Sequence, residues 1–169
     1  MPYIIDVQST RRLPADLARA VARAANESLV HEGVNEGAGV TVLLSDDDYI
    51  QRLNWQYRGE DRPTDVLSFP AGDPVPGAPE TDAYLGDIAI SVPCAERQAA
   101  AKGHLMVAEL QLLTIHGVLH LLGYDHLEAS DKAAMWTVQA EILRGLGLET
   151  IQPTEDEHTD DANGGKHGY

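Results

Sequence analysis

Apolar positions recur along this chain with two periods, and the elements follow from where the period changes. Tyr3–Val7 (YIIDV) and Val40–Leu44 (VTVLL) are short runs rich in β-branched and aromatic residues, which predicts strands. Between them Leu17, Val21, Ala24, Ala25 and Leu29 recur at helical spacing, predicting a helix over 14–31 opened by Pro14. Ser45 or Asp46 caps the next helix, which turns Ile50, Leu53 and Tyr57 inward and ends near Gly59. A third strand is expected at Asp65–Phe69 and a fourth at Leu85–Val92. Alternation on the fourth puts Leu85, Asp87, Ala89 and Ser91 on one face. Pro93 opens a short helix to Lys102. Residues 105–122 (LMVAELQLLTIHGVLHLL) are apolar nearly all round, the pattern of a buried helix. A last helix over 128–144 presents Ala133, Trp136, Ala140 and Leu143 inward and stops at Gly145 and Gly147.

Strands and helices in this order predict a single α+β domain: a four-stranded mixed sheet flanked by about five helices, over residues 1–150. Residues 70–83, with four prolines, form a loop. Residues 151–169 are polar, acidic and Gly-rich, the composition of an unstructured tail. No apolar run approaches the eighteen or so residues of a membrane span, and the N-terminus carries no secretory pattern. The single cysteine, Cys94, fits a reducing cytoplasm and reads as a small packed residue.

The charged residues change the picture more than the total composition does. Net charge is −15, so general electrostatic affinity for nucleic acid or an anionic membrane is absent. A polyanionic substrate has to be met by a local basic patch or a metal. Arg52, Arg58 and Arg62 lie within eleven residues and supply one such patch.

The buried helix carries the candidate chemistry. His116 and His120 are four apart, one turn on one face. His126 would point about 240° away from His120 if the helix ran on. Gly123 ends it instead, because glycine takes the left-handed conformation that turns the chain, and Tyr124–Asp125 can bring His126 back. Three imidazoles and one open position are the arrangement of a catalytic zinc. The spacing H-x3-H-x2-G-x2-H also matches the metzincin peptidases, but their general-base glutamate falls here on Gly117. A structural zinc in a non-catalytic protein is a further alternative, opposed by the lack of a fourth protein ligand or of cysteines. Arg58 reads either as a phosphate-binding guanidinium or as a cation favoured at a helix C-terminus. Arg62 is a second candidate for substrate contact. Asp125 and Asp87 read as acceptors that orient imidazoles, or as a turn former and a solvated strand residue respectively.

Three blocks resemble the bacterial YbeY proteins, zinc-dependent endoribonucleases of ribosomal RNA maturation. They are Asn54-x2-Tyr57-Arg58-x2-Asp61-x2-Thr64-Asp65-Val66-Leu67-Ser68-Phe69, Leu85-Gly86-Asp87-Ile88, and His116-Gly-Val-Leu-His120-Leu-Leu-Gly-Tyr-Asp-His126. The resemblance covers roughly residues 1–148. It implies one Zn2+ held by His116, His120 and His126, and a role for Arg58 in RNA cleavage. It further implies a cytoplasmic enzyme acting on single-stranded RNA, with the ribosome or its small subunit and assembly factors as partners, and no membrane. The acidic tail and the loop at 70–83 lie outside it.

Overall fold

In the computed structural model, residues 2–72, 83–125, 127–151 and 153 are described, and among them the chain forms four strands and five helices. These are β1 (Ile4–Ser9), α1 (Ala15–His31), β2 (Gly39–Ser45), α2 (Asp47–Arg58), β3 (Val66–Pro70), β4 (Tyr84–Ser91), α3 (Val92–Lys102), α4 (Met106–Leu121) and α5 (Ala129–Gly145). Sheet order is β1-β2-β4-β3. The first two pairings are parallel and β3 runs antiparallel to β4 at the edge, so the sheet is mixed and the α+β expectation holds.

Local chemistry explains where the elements begin and end. Asp46 caps α2 by accepting from the Tyr49 amide at 2.9 Å, and Ser91 caps α3 by accepting from Cys94 at 3.2 Å. Gly59 closes α2 in the left-handed conformation. Strand alternation then sorts side chains to two faces. Val40, Val42, Leu44, Ile88, Ile90 and Val66 meet Val21, Ala25 and Leu29 of α1 and Leu110, Leu113 and Val118 of α4. On the other face Leu67 and Ala89 pack with Ile50 of α2, flanked by Leu53 and Phe69. A further layer forms where α5 lays Met135, Ile142 and Leu143 on Leu112, Ile115 and Leu119 of α4.

Helix α4 is therefore covered by the sheet on one side and α5 on another, and every residue from Ala108 to His120 is buried. It approaches the sheet closely at Gly117. A Cβ there would stand 2.7 Å from Ile88 Cγ2 and 3.1 Å from its Cδ1. A larger side chain at that position would have to displace Ile88, so the close approach of α4 to β4 depends on glycine there. No single helix among the described residues is long and apolar enough to cross a membrane.

Some expectations need correction. The inward face of α5 is Met135, Gln139, Ile142 and Leu143, whereas Ala133 and Ala140 are exposed. Tyr57, expected inward, is 61% exposed, with its ring edge on Phe69 at 5.1 Å between centroids. Ile151, assigned to the tail, is buried in the α4–α5 cluster, so packed structure extends past residue 150. Residues 73–82 of the expected loop, and 152 and 154–169 of the tail, lie outside the described residues.

Beside the sheet sits a buried acid. Asp65 is fully buried; its carboxylate accepts from the Val66 amide at 2.7 Å and from Gln98 Nε2 at 3.4 Å. Burial pushes its carboxyl up to about 6, and the charge of Glu109 adds to the effect. Glu109 is itself buried and paired with Lys102 Nζ at 2.9 Å and His104 Nε2 at 2.6 Å.

Two outcomes are expected. Gly117→Ala lowers stability by about 1–3 kcal/mol in denaturant unfolding, through overpacking against Ile88. In an Ile88→Ala background the same change becomes neutral or favourable, because the clashing methyls are gone and alanine is the better helix former. For Asp65 the folded state holds the proton more tightly than the unfolded chain. The wild type therefore loses stability as pH rises from about 4 to 6, by on the order of 3 kcal/mol. Asp65→Asn cannot ionise and keeps an acceptor for Val66. The stability difference between variant and wild type should grow across that window, read from thermal midpoints, and stay flat outside it.

Candidate metal centre

The C-terminal turn of α4 is a Schellman motif. Gly123 takes a φ of 101°; its amide bonds to the His120 carbonyl at 3.0 Å and the Tyr124 amide to the Leu119 carbonyl at 3.0 Å. This turn folds the chain back so that the Tyr124 carbonyl oxygen lies 2.9 Å from His120 Nδ1. A carbonyl only accepts, so His120 Nδ1 carries a proton and its Nε2 presents a lone pair. The Tyr124 phenol donates to Glu32 Oε1 at 2.6 Å, and that bond pushes the phenol up to about 12. Glu32 in turn meets His31 Nδ1 at 2.9 Å, while His31 Nε2 meets Glu141 of α5 at 2.8 Å. These two carboxylates raise the His31 imidazole, with Glu32 the larger influence. The turn is thus tied to the ends of α1 and α5.

His116 sits one turn earlier on the same face. Its Nδ1 lies 2.7 Å from Gln139 Oε1, and Gln139 is 2% exposed on α5. The Trp136 ring stands edge-on to His116 at 5.8 Å and 83°. The two imidazoles are 4% and 7% exposed, and their Nε2 atoms converge to 3.0 Å. With oxygen acceptors behind both Nδ1 atoms, both Nε2 atoms could direct lone pairs at a cation placed between them. That donor set fits a soft-to-borderline cation, and metal-bound imidazoles ordinarily have their other nitrogen held in this way. Among the described residues no third histidine, cysteine or carboxylate completes a metal set. His126 lies outside the described residues.

The remaining sequence candidates are Arg58, Arg62, Asp125 and Asp87. Arg58 ends α2, which packs on the Leu67 and Ala89 face of the sheet, opposite α4. The edge strand β3 separates the two: Phe69 meets Tyr57 on one side, and Ser68 Oγ donates to the Gly117 carbonyl at 3.1 Å on the other. Arg62 is exposed and pairs with Glu60 at 3.2 Å, an ion pair that adds little stability. Its carbonyl accepts from the buried Asn54 at 2.9 Å, which anchors the loop. Asp125 Oδ1 accepts from the Leu127 amide at 3.0 Å, the bond expected of a turn former. Asp87 lies on the sheet face away from α4, opposite in alternation to Ile88, and accepts from Tyr84. There it lines a groove of about 340 Å³ with Thr41, Tyr49, Tyr57 and Phe69, and it is not brought to the imidazoles. Sequence reasoning missed Gln139 and Tyr124. The available signal was a glutamine at the centre of an apolar stripe, Met135 to Ile142, where a buried amide demands a partner.

Known proteins share this arrangement of elements and sequence. A protein from Thermotoga maritima, TM1509, has a solution structure that superposes with a TM-score of 0.56 at 26% identity, over 90% of this chain and 98% of that one. A protein of Pelotomaculum thermopropionicum named Endoribonuclease YbeY is 44% identical, covering 88% of this chain and 99% of the relative. One of the same name from Chloroflexus aurantiacus is 47% identical over 88% and 98%. The family model described as Endoribonuclease YbeY matches residues 3–147, and the chain belongs to that family.

Proposed function

We propose that this chain is an endoribonuclease that hydrolyses single-stranded RNA with one zinc ion held by His116, His120 and His126, acting in ribosomal RNA maturation and ribosome quality control. Membership of the YbeY family supports the nuclease activity. The observation that carries the metal is the convergence of two buried Nε2 atoms at 3.0 Å, with each Nδ1 facing an oxygen. When bound, zinc supplies a Lewis acid for a phosphoryl oxygen and brings the pKa of a bound water towards neutrality.

The chain's own groups do the rest. Tyr124 and Gln139 hold the imidazoles in register. Trp136 shields the outer edge of His116. Arg58 binds the non-bridging oxygens of the scissile phosphate in a fork, stabilising the charge that grows there. With a net charge of −15, the protein meets RNA slowly and reads little sequence, so its selection of sites comes from the ribosome or its small subunit and assembly factors. A buried lone cysteine accords with a cytoplasmic setting.

Replacing His116, His120 or His126 singly with alanine should remove bound zinc, measured by elemental analysis; full occupancy in any two of the three refutes the ligand set. Arg58→Ala should lower kcat/KM on single-stranded RNA by about 10²–10³-fold at unchanged zinc content. Wild-type cleavage by that variant would move the charge-stabilising role to another residue. Arg62→Ala should mainly weaken binding, with the salt slope reduced by about 1.

A further inference from the structure

The two imidazoles are held by different kinds of partner, and the difference has a consequence. His120 Nδ1 faces a main-chain carbonyl, Tyr124 O at 2.9 Å, which can only accept. In the neutral ring the proton is therefore fixed on Nδ1, and Nε2 is a lone pair. His116 Nδ1 faces a side-chain carboxamide, Gln139 at 2.7 Å, which accepts through oxygen and donates through nitrogen after a half-turn. Gln139 is buried, so an unsatisfied amide there is costly, and it must match whatever His116 presents.

The 3.0 Å separation of the Nε2 atoms connects the two partners. Two lone pairs cannot face each other at that distance without a cation between them. In the metal-free protein the locked His120 therefore requires His116 to donate from Nε2. His116 Nδ1 is then a lone pair, and the Gln139 NH2 must donate to it. In the metal-loaded protein His116 Nε2 is a ligand, Nδ1 bears the proton, and the Gln139 oxygen accepts it. We propose that Gln139 is a positioning residue whose carboxamide turns over as metal enters, carrying His116 from its Nε2–H to its Nδ1–H tautomer while His120 stays fixed. The proton count of the neutral pair is unchanged by the switch: His116 Nε2 gives up a proton and Nδ1 gains one through solvent. The inference rests on the metal reading above and adds a residue that can meet His116 Nδ1 in either tautomer.

The test uses full-length protein, zinc competition against a chelating dye, and 15N spectra of the histidine ring nitrogens with and without zinc. Gln139→Leu offers no acceptor to His116 Nδ1–H and should weaken zinc binding by about 10–100-fold. Gln139→Glu keeps the acceptor and should bind zinc within a few-fold of wild type. The ring spectra should show His116 as Nε2–H in metal-free wild type and Nδ1–H when loaded; in Gln139→Glu Nδ1 should be protonated in both forms, together with Nε2 in the metal-free one. A role confined to packing predicts instead that leucine, close in volume, leaves zinc affinity and both spectra unchanged. Wild-type affinity in Gln139→Leu, equal loss in Gln139→Glu, or an Nδ1–H tautomer in metal-free wild type would overturn the proposal. Should wild type bind no zinc at all, the metal reading itself falls, and the inference with it.

Discussion

A helix without a solvent face must satisfy every polar group it carries, and that constraint on α4 organises much of this molecule. Glu109 draws in Lys102 and His104. Gln111 reaches across to the Ala20 carbonyl of α1 at 3.1 Å, and Thr114 turns back on the Leu110 carbonyl at 2.7 Å. Gly117 gives up its side chain so that Ile88 can lie against the backbone, and its carbonyl receives the Ser68 hydroxyl. His116 recruits α5 through Gln139, and His120 recruits the chain's own return turn. Each unmet group would cost about 1–3 kcal/mol, so the burial that makes α4 stable also decides which neighbours it has.

The same constraint explains the chemistry of the candidate centre. Buried imidazoles are poorly solvated, so a cation that they coordinate is held by protein rather than by water. Around them the outer corner carries a histidine between two carboxylates and Lys132 over the Trp136 ring, whereas Arg58 ends α2 on the far side of the sheet. Edge strand β3 is the border between these regions, with the α2 side at Phe69 and the α4 side at Ser68. A backbone bound by both would have to run along that border.

Much of the architecture was legible because apolar periodicity is a direct record of burial. The strand at 40–44 and the helix at 105–122 were read nearly to their ends, since Gly37 and Gly123 turn the chain in the left-handed region and Asp46 caps α2. What failed did so where polarity was a poor guide to burial. The inward face of α5 was read as Ala133, Trp136, Ala140 and Leu143, which leaves out the buried Gln139 and includes two exposed alanines. The stripe from Met135 to Ile142 marks its burial, but the partner that satisfies it lies twenty-three positions away and is not named by any local pattern. Asp87 was assigned correctly to one face with Ala89, but alternation alone does not say which face meets water. The histidine pair was readable from spacing, whereas the acceptors behind it were not, because they come from a turn and from a separate helix.

That division of labour bears on how portable the histidine segment is. A peptide spanning the helix and its Gly123 turn would keep two imidazoles at the right spacing and the carbonyl of Tyr124. It would lose Gln139, the Trp136 edge, and the Glu32 carboxylate that tethers the Tyr124 phenol from ninety-two positions away. Grafted into another scaffold, the motif would carry its imidazoles without the groups that orient them. In a lineage of such proteins, the unit that can be inherited or recombined with its geometry intact is the three-helix corner of α1, α4 and α5, not the histidine sequence alone.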